Sequence, residues 1–275
     1  MSDFGFKRNP NEKFYTKINI AKTCIAYFKQ TISPSVKSHI IEPSAGNGSF
    51  SNTLGDCFKN FTAIDIEKEL SYVKQMDYLT YEPNTKNIIH VIGNPPFGRQ
   101  STLVRKFIKH SSKFAKSISF VLPKSFRKES VQSAFPLDFH LVYEWELPKN
   151  SFFIANTGKD HDVPCVFQIW KKRDTLRKLK PKPTPKLFSY LKYGDITIQF
   201  AIKRVGGNAG KIVEDWPNCS VTSHYFIKLD DSIDVKKFME LYDDDVFERD
   251  NTVGPRSISK TELTNVINNL TNEKI

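Results

Sequence analysis

Along the first two thirds of the chain, apolar positions alternate between the period of a helix and that of a strand. Ile18, Ala21, Ile25 and Phe28 fall at helical spacing within residues 16–30, and Ser33-Pro34 stops that pattern. His39-Ile40-Ile41-Glu42-Pro43 then reads as a short buried strand entering a glycine-rich turn, with a helix from about Ser49 to Phe58. The alternation continues as a strand at 61–66, a helix at 67–75, a strand at 88–95, a helix at 102–115, a strand at 117–123 and a helix near 125–134. Two further strands, 139–148 and 163–171, are joined by the polar loop 149–162, which cannot supply the helical crossover of a parallel pair. The pattern therefore predicts an α/β sheet, parallel except at one edge.

After Trp170 the composition changes. Of the sixteen residues 171–186, eight are basic, and Pro181, Pro183 and Pro185 interrupt secondary structure. This places the boundary between a larger domain, 1–175, and a smaller one, 186–275. Strand-like DITIQFAIKRV and SHYFIKL and a late helix, TELTNVINNL, make the second an α+β module. Ser259, with Glu262 three residues on, forms a capping box for that helix.

Composition narrows the class. No run of about 18 apolar residues exists, and Met1 to Asn11 is polar, so a soluble, intracellular protein without membrane association is expected. The four cysteines, Cys24, Cys57, Cys165 and Cys219, form no C-x-x-C pair, which argues against a disulfide framework or zinc site and for buried thiols. No metal is expected, and Asp243-Asp244-Asp245 reads as a solvated acidic face. The net charge of +11 favours a polyanionic partner. Lys and Arg outnumber Asp and Glu 22 to 15 over residues 1–170 and 11 to 2 over 171–204, while 205–275 is acidic, 8 to 13.

The chemistry-bearing residues stand at the expected strand ends. Glu42, Ser44, Ala45, Gly46 and Gly48 follow the first strand, where an open parallel sheet binds ligands, and the two glycines permit close approach of an adenosyl or phosphate group. Asp65 ends the second strand about 20 residues later, the offset of a carboxylate that accepts ribose hydroxyls. Ile66 beside it can cover an adenine ring, and Asp77, followed by Tyr78, can accept the adenine amino group. Asn94-Pro95-Pro96-Phe97 ends the strand at 88–95. The prolines remove donors and fix φ, so Asn94 Oδ1 and the Pro95 carbonyl become acceptors for one NH2 group, with Phe97 stacking on its ring.

EPSAGNGSF, AIDIE, QMDYL and NPPF, in this order and spacing, resemble the N6-adenine DNA methyltransferase family over about residues 13–171, with the motif order of its γ-type members. The resemblance implies a Rossmann-like, seven-stranded methyltransferase sheet, mostly parallel with the last strand antiparallel, followed by a nucleic-acid recognition module. It implies S-adenosylmethionine as cofactor and transfer to adenine N6 in DNA, with Asn94, Pro95, Pro96 and Phe97 catalytic. Tyr15 and Thr16 match an N-terminal cofactor motif, although Lys17 stands where that motif has proline. Phe152 or Phe153, in the loop before the last strand, offers a second face to a flipped base unless both belong to the core. RNA adenine, glutamine amides of protein and a non-catalytic nucleic-acid-binding subunit remain alternative readings. A monomer is the default, with a homodimer left open.

In the C-terminal module, residues 203–211 fail as a phosphate loop, because three residues separate Gly206 from Gly210 and Ile212 replaces the Ser or Thr. Lys203, Arg204 and Lys211 are left as a basic glycine turn touching nucleic-acid backbone, or as a plain surface hairpin.

Overall fold

The computed structural model describes residues 13–179, 181–247 and 256–273. The polar N-terminal stretch before Lys13 lies outside the described residues. The chain divides into two compact units, the first ending at Lys178 and the second beginning at Leu179.

The first unit runs β1 (Phe14–Thr16), α1 (Ile18–Ile32), β2 (His39–Glu42), α2 (Ser51–Cys57), β3 (Phe61–Asp65), β4 (Lys74–Gln75) and β5 (Ile89–Gly93). It continues with α3 (Thr102–Ser111), β6 (Ser117–Pro123), α4 (Glu129–Gln132), β7 (Phe139–Glu146), β8 (Phe152–Ile154), β9 (Asp160–His161) and β10 (Cys165–Lys172). Seven strands form one sheet in the order β4-β3-β2-β5-β6-β10-β7. Neighbours from β4 through β6 are parallel, and β10 is antiparallel to both β6 and β7. This is the seven-stranded, mostly parallel α/β sheet with an antiparallel last strand expected from the sequence.

The reversed strand lies one place in from the edge rather than at it. Cys165 to Trp170 is buried throughout, whereas β7 is only half-buried along most of its length, so the more apolar strand of the hairpin takes the interior slot. A second departure is the segment 67–75, expected to be helical. Asp65 Oδ1 accepts the Glu67 N–H at 3.0 Å, an Asx turn that bends the chain away, and only the two-residue β4 follows. The loop 149–162 also gains structure, because β8 pairs with both β1 and β9 in a separate three-stranded sheet ordered β1-β8-β9.

Alternation along the central strands supplies apolar layers on both faces of the sheet. Ile41, Val91, Ile118 and Phe120 pack toward Val104, Phe107 and Ile108 of α3. Ile40, Ile92, Val121 and Phe167 pack toward Ile20, Cys24, Ile25 and Phe28 of α1. The α1 stripe ends at Ser33, whose left-handed φ of 49° closes the helix by donating its N–H to the Lys29 carbonyl. Among the cysteines, Cys24 and Cys165 are buried as expected, but Cys57 is exposed. No helix among the described residues is long and apolar enough to cross a membrane.

In the second unit, β11 (Phe188–Leu191), β12 (Phe200–Lys203), β13 (Ile212–Val213) and β14 (His224–Leu229) form an antiparallel sheet ordered β11-β14-β12-β13. Helices α5 (Val235–Leu241) and α6 (Lys260–Glu273) follow, and Phe238, Leu263 and Ile267 pack with Phe200, Ile202 and Ile227. The capping box forms: Ser259 N–H donates to Glu262 Oε2 at 2.8 Å, and Glu262 N–H donates to Ser259 Oγ at 3.2 Å.

Candidate active site

Strands β2 and β5 are adjacent and parallel, so their C-terminal ends deliver Glu42 and Asn94 side by side. Gly93 makes the approach possible: a Cβ there would lie 3.3 Å from Glu42 Cγ and 3.4 Å from the Pro43 ring. Ser44 ties the two ends together by donating its hydroxyl to the Asn94 backbone carbonyl at 3.0 Å.

Three buried oxygens in the predicted set have no hydrogen-bond partner: Asn94 Oδ1, Glu42 Oε2 and Thr16 Oγ1. Such groups are costly in a folded protein unless a ligand or water completes them. Burial drives the Glu42 carboxyl well above its ordinary pKa of 4.5, and the charge of Asp65 adds to the shift, while hydrogen bonds from Ser51 oppose it. A cation placed here would restore the carboxylate. The site thus presents acceptors in excess of donors, the complement of an amino or ammonium group.

The glycine turn is shaped from both sides. Gly46 N–H donates to Asp65 Oδ2 at 2.8 Å, so both carboxylate oxygens of Asp65 already hold one backbone N–H each. Each oxygen keeps a further lone pair for a hydroxyl donor. Gly46, at φ 47°, lies beneath the Tyr15 ring, where a Cβ would come within 2.7 Å of that ring. Gly48, at φ 87°, is similarly closed over by Leu70, Asn52 and Tyr72. Ala45 is buried behind the turn, and Ile66 projects into solvent, 68% exposed, beside Asp65.

Pairing of β1 with β8 carries Tyr15 opposite Phe153 and Thr16 opposite Phe152. The Tyr15 and Phe153 rings meet edge to face at 5.8 Å. The Tyr15 hydroxyl donates to Glu69, and Lys13 pairs with Glu67 and Glu69, fastening β1 to the chain beyond β3. Burial and the neighbouring carboxylates raise the Tyr15 pKa. Lys17 explains its own departure from proline: its N–H donates to the Ser151 carbonyl at 3.0 Å, which proline could not do, and its ammonium pairs with Asp160 at 2.7 Å. Lys13, Glu69, Leu70 and Tyr72 gave no legible signal, because pairing of three-residue strands and the unexpected turn bring them to the site.

Two expected site residues belong to the core instead. Tyr78 is 2% exposed, with its hydroxyl hydrogen-bonded to Ser111 Oγ at 2.7 Å among Phe107, His110 and Phe114. Phe152 is likewise 2% exposed and packed with the α1 layer, leaving the half-buried Phe153 as the accessible ring. Asp77 is exposed and caps the short helical turn at Tyr78–Thr80, accepting the Leu79 N–H at 2.9 Å. Pro95 is buried, Pro96 is exposed, and Phe97 is partly buried, touching the apolar layers on both faces of the sheet.

In the second unit, the turn between β12 and β13 is braced from within. Gly210 packs on Phe247, its carbonyl accepts the Tyr242 hydroxyl at 2.8 Å, and Ala209 is fully buried. Arg204 lies over the Tyr225 ring at 5.3 Å, Lys203 is half-buried and Lys211 is exposed. Asp243 caps the helical turn at Asp244–Val246 by accepting the Asp245 N–H at 2.8 Å, a structural use of the acidic run.

No family model matches the sequence, and no curated protein matches it. Among solved structures, the chain is similar to an S-adenosylmethionine-dependent methyltransferase from Anabaena variabilis, with 11% identity over 60% of this chain and 89% of that one, and a TM-score of 0.45. The N-methyltransferase NodS from Bradyrhizobium japonicum, solved with S-adenosyl-L-homocysteine, matches at 14% identity over 56% and 87%, TM-score 0.41. A type I restriction-modification methyltransferase subunit from Streptococcus thermophilus matches at 17% over 60% of this chain and 45% of that one, TM-score 0.43.

Proposed function

We propose that this chain is a methyltransferase that moves the methyl group of S-adenosylmethionine to the N6 amino group of adenine in nucleic acid, with DNA ahead of RNA. The observation that carries this reading is the buried, unpartnered Asn94 Oδ1 at the end of β5. An exocyclic amine is a weak nucleophile because its lone pair is conjugated with the ring. An acceptor already fixed in place strengthens its hydrogen bond as positive charge appears on that nitrogen, and so favours the transition state over the ground state. Asn94 is held for this role: its own carbonyl is anchored by Ser44, and Pro95 follows it rigidly.

Glu42, Thr16 and the turn at Gly46 and Gly48 are the residues that would hold the cofactor, with Asp65 and Ile66 on its nucleoside end and Asp77 as a further acceptor. Bound there, the cofactor supplies an electrophilic methyl group on a sulfonium. Glu42 Oε2 suits the ammonium of its amino-acid part, a charge-assisted hydrogen bond for an otherwise orphaned oxygen. Phe97 and Phe153 offer ring faces to an unstacked base, and each stacked base gains about 1–3 kcal/mol, comparable with the cost of flipping.

Tritiated methyl transfer to DNA, RNA and protein in parallel tests the reading. Label in N6-methyladenine of DNA or RNA, lost in Asn94→Ala, is the expected outcome; label only in protein overturns it.

A further inference from the structure

We infer that the outer face of α3 is the track for the phosphate backbone of the strand whose base enters the site, an inference that rests on the nucleic-acid reading above. From Pro83 to Lys128 the chain holds ten Lys and Arg and no Asp or Glu, and this stretch begins before β5 and runs through α3 and β6. Arg105 lies over the Phe126 ring at 5.8 Å, but four other charges along α3 and at either end of that helix are not spent internally. Arg99, Lys106, Lys109 and Lys113 are exposed, and none makes an ion pair with a described residue.

The helix geometry aligns them. Val104, Phe107, Ile108 and Ser111 are buried, so Lys106 and Lys109 lie on the opposite side, and the exposed Lys113 follows in the turn just past the end of the helix. From Lys106 to the end of α3 at Ser111 the rise is about 7.5 Å, which spans about two phosphates of one strand, with Lys113 just beyond. A row of exposed cations attracts a polyanion before the two molecules touch.

Covalent and hydrogen-bonded continuity joins this row to the acceptor motif. The Phe97 carbonyl accepts the N–H groups of Leu103 and Val104 at 3.2 and 3.3 Å, so the first turn of α3 hangs from the residue after Pro96. Between them, Gln100 and Ser101 hold left-handed φ values of 52° and 60° without being glycine, and Gly98, at 69°, has Leu103 where a Cβ would go. Conformations of this kind cluster where surrounding structure imposes a required geometry, and here they set Arg99 at the join of motif and helix. A phosphate row that starts at Arg99 places the adjoining nucleotide at Asn94.

The test compares the full chain with a Lys106→Gln/Lys109→Gln/Lys113→Gln variant and a control in which the exposed Lys22, Lys37 and Lys59 are changed to Gln. Binding of a fluorescein-labelled, adenine-containing oligonucleotide is measured against salt concentration. Each phosphate left without its cation lowers the slope of log K against log salt by about 0.7–0.9, so the α3 variant is expected to lose about 2–3 units of slope and the control less than one. KM for the oligonucleotide rises in the α3 variant, while kcat at saturation and binding of S-adenosylhomocysteine are retained. An unchanged slope overturns the inference even where methyl transfer to nucleic acid stands; an altered slope without methyl transfer upholds the surface and sinks the enzymatic reading. Failure of the unaltered chain to bind the oligonucleotide overturns both. Loss of binding to phosphatidylserine vesicles with oligonucleotide binding intact assigns the face to a membrane and also overturns the inference.

Discussion

The two compact units use their buried polar groups differently. In the first, Ser119 Oγ and Arg177 Nε lack partners within the fold, and so do oxygens of Thr16, Glu42 and Asn94, which lie on β1 and at the ends of β2 and β5, the elements around the glycine turn. In the second, the buried side-chain polar atoms without partners among the described residues are the Nε atoms of Arg204 and Arg256, whose guanidinium groups otherwise brace the fold: Arg204 over Tyr225, and Arg256 by donating to the carbonyls of Asp244 and Phe247. Charge divides the same way. Lys and Arg outnumber Asp and Glu 27 to 16 up to residue 178, and stand 14 to 14 beyond it. Unfilled acceptors and surplus cations therefore coincide in the first unit, and the second is the more self-satisfied structure. A recognition role for the second unit, proposed from its place in the chain, must rest on shape and specific contacts rather than on net charge.

The sharpest way to break this contrast is Asn94→Ala, which removes the central unfilled acceptor. Methyl transfer is expected to fall by about 10²–10³ or more, with binding of S-adenosylhomocysteine retained in calorimetry; loss of cofactor binding instead would reassign Asn94 to the cofactor. Next in size is the pair Phe152→Ala and Phe153→Ala. The first opens a cavity in the α1 layer and is expected to cost about 3–5 kcal/mol of stability. The second should leave the denaturant midpoint almost unchanged and weaken oligonucleotide binding by about 1–3 kcal/mol. Equal destabilisation of both would place Phe153 in the core too.

Glu42→Gln is expected to lower cofactor affinity by about 1.5–3 kcal/mol, the range for a hydrogen bond to a charged group. Its effect on the empty protein has the opposite sign. Because the Glu42 carboxyl has a raised folded pKa, the native chain retains a proton that the unfolded chain releases above 4.5, and stability from this group falls as pH rises from that value. The substitution should therefore raise Tm at about pH 8, with the gain shrinking toward about pH 5; a gain independent of pH would rule out the buried carboxyl as its cause. The smallest effect is expected at His90, which burial, aided by the charge of Lys171, lowers from 6.5 to about 4. Its ring Nδ1 is bonded to Ser117 Oγ at 2.8 Å. The unfolded chain takes up the proton first, so this contribution is complete above pH 6.5 and is lost as pH falls toward 4, a dependence that chemical denaturation of His90→Asn should flatten.

The residues themselves determined much of the first unit. Short unbroken apolar runs and period-3.6 patterns located the central strands and the longer helices, because a central strand such as Ile89–Gly93 is buried on both faces and α1 on only one. Order along the chain was enough to nominate Glu42, the two glycines, Asp65 and Asn94, since strand ends on one side of a parallel sheet must converge. The acid-free stretch from 83 to 128 was also legible, but counting charge in longer segments hid it beneath the acids on either side.

Tertiary structure alone decided the rest. The segment 67–75 has apolar residues at spacings that suit a helix or a turn, and the Asp65 carboxylate tips the balance by capturing the Glu67 N–H. Tyr78 and Phe152 look like site residues in sequence because an aromatic beside a motif carries no mark of its direction; packing against α3 and α1 turns both inward. Three-residue strands are too short to show a period, so the pairing that brings Tyr15 and Thr16 to the glycine turn arises only when β1 finds β8, 138 residues away in register from Tyr15 to Phe153. Local pattern reports what a residue prefers, while long-range pairing and competition for hydrogen bonds fix which neighbour it meets.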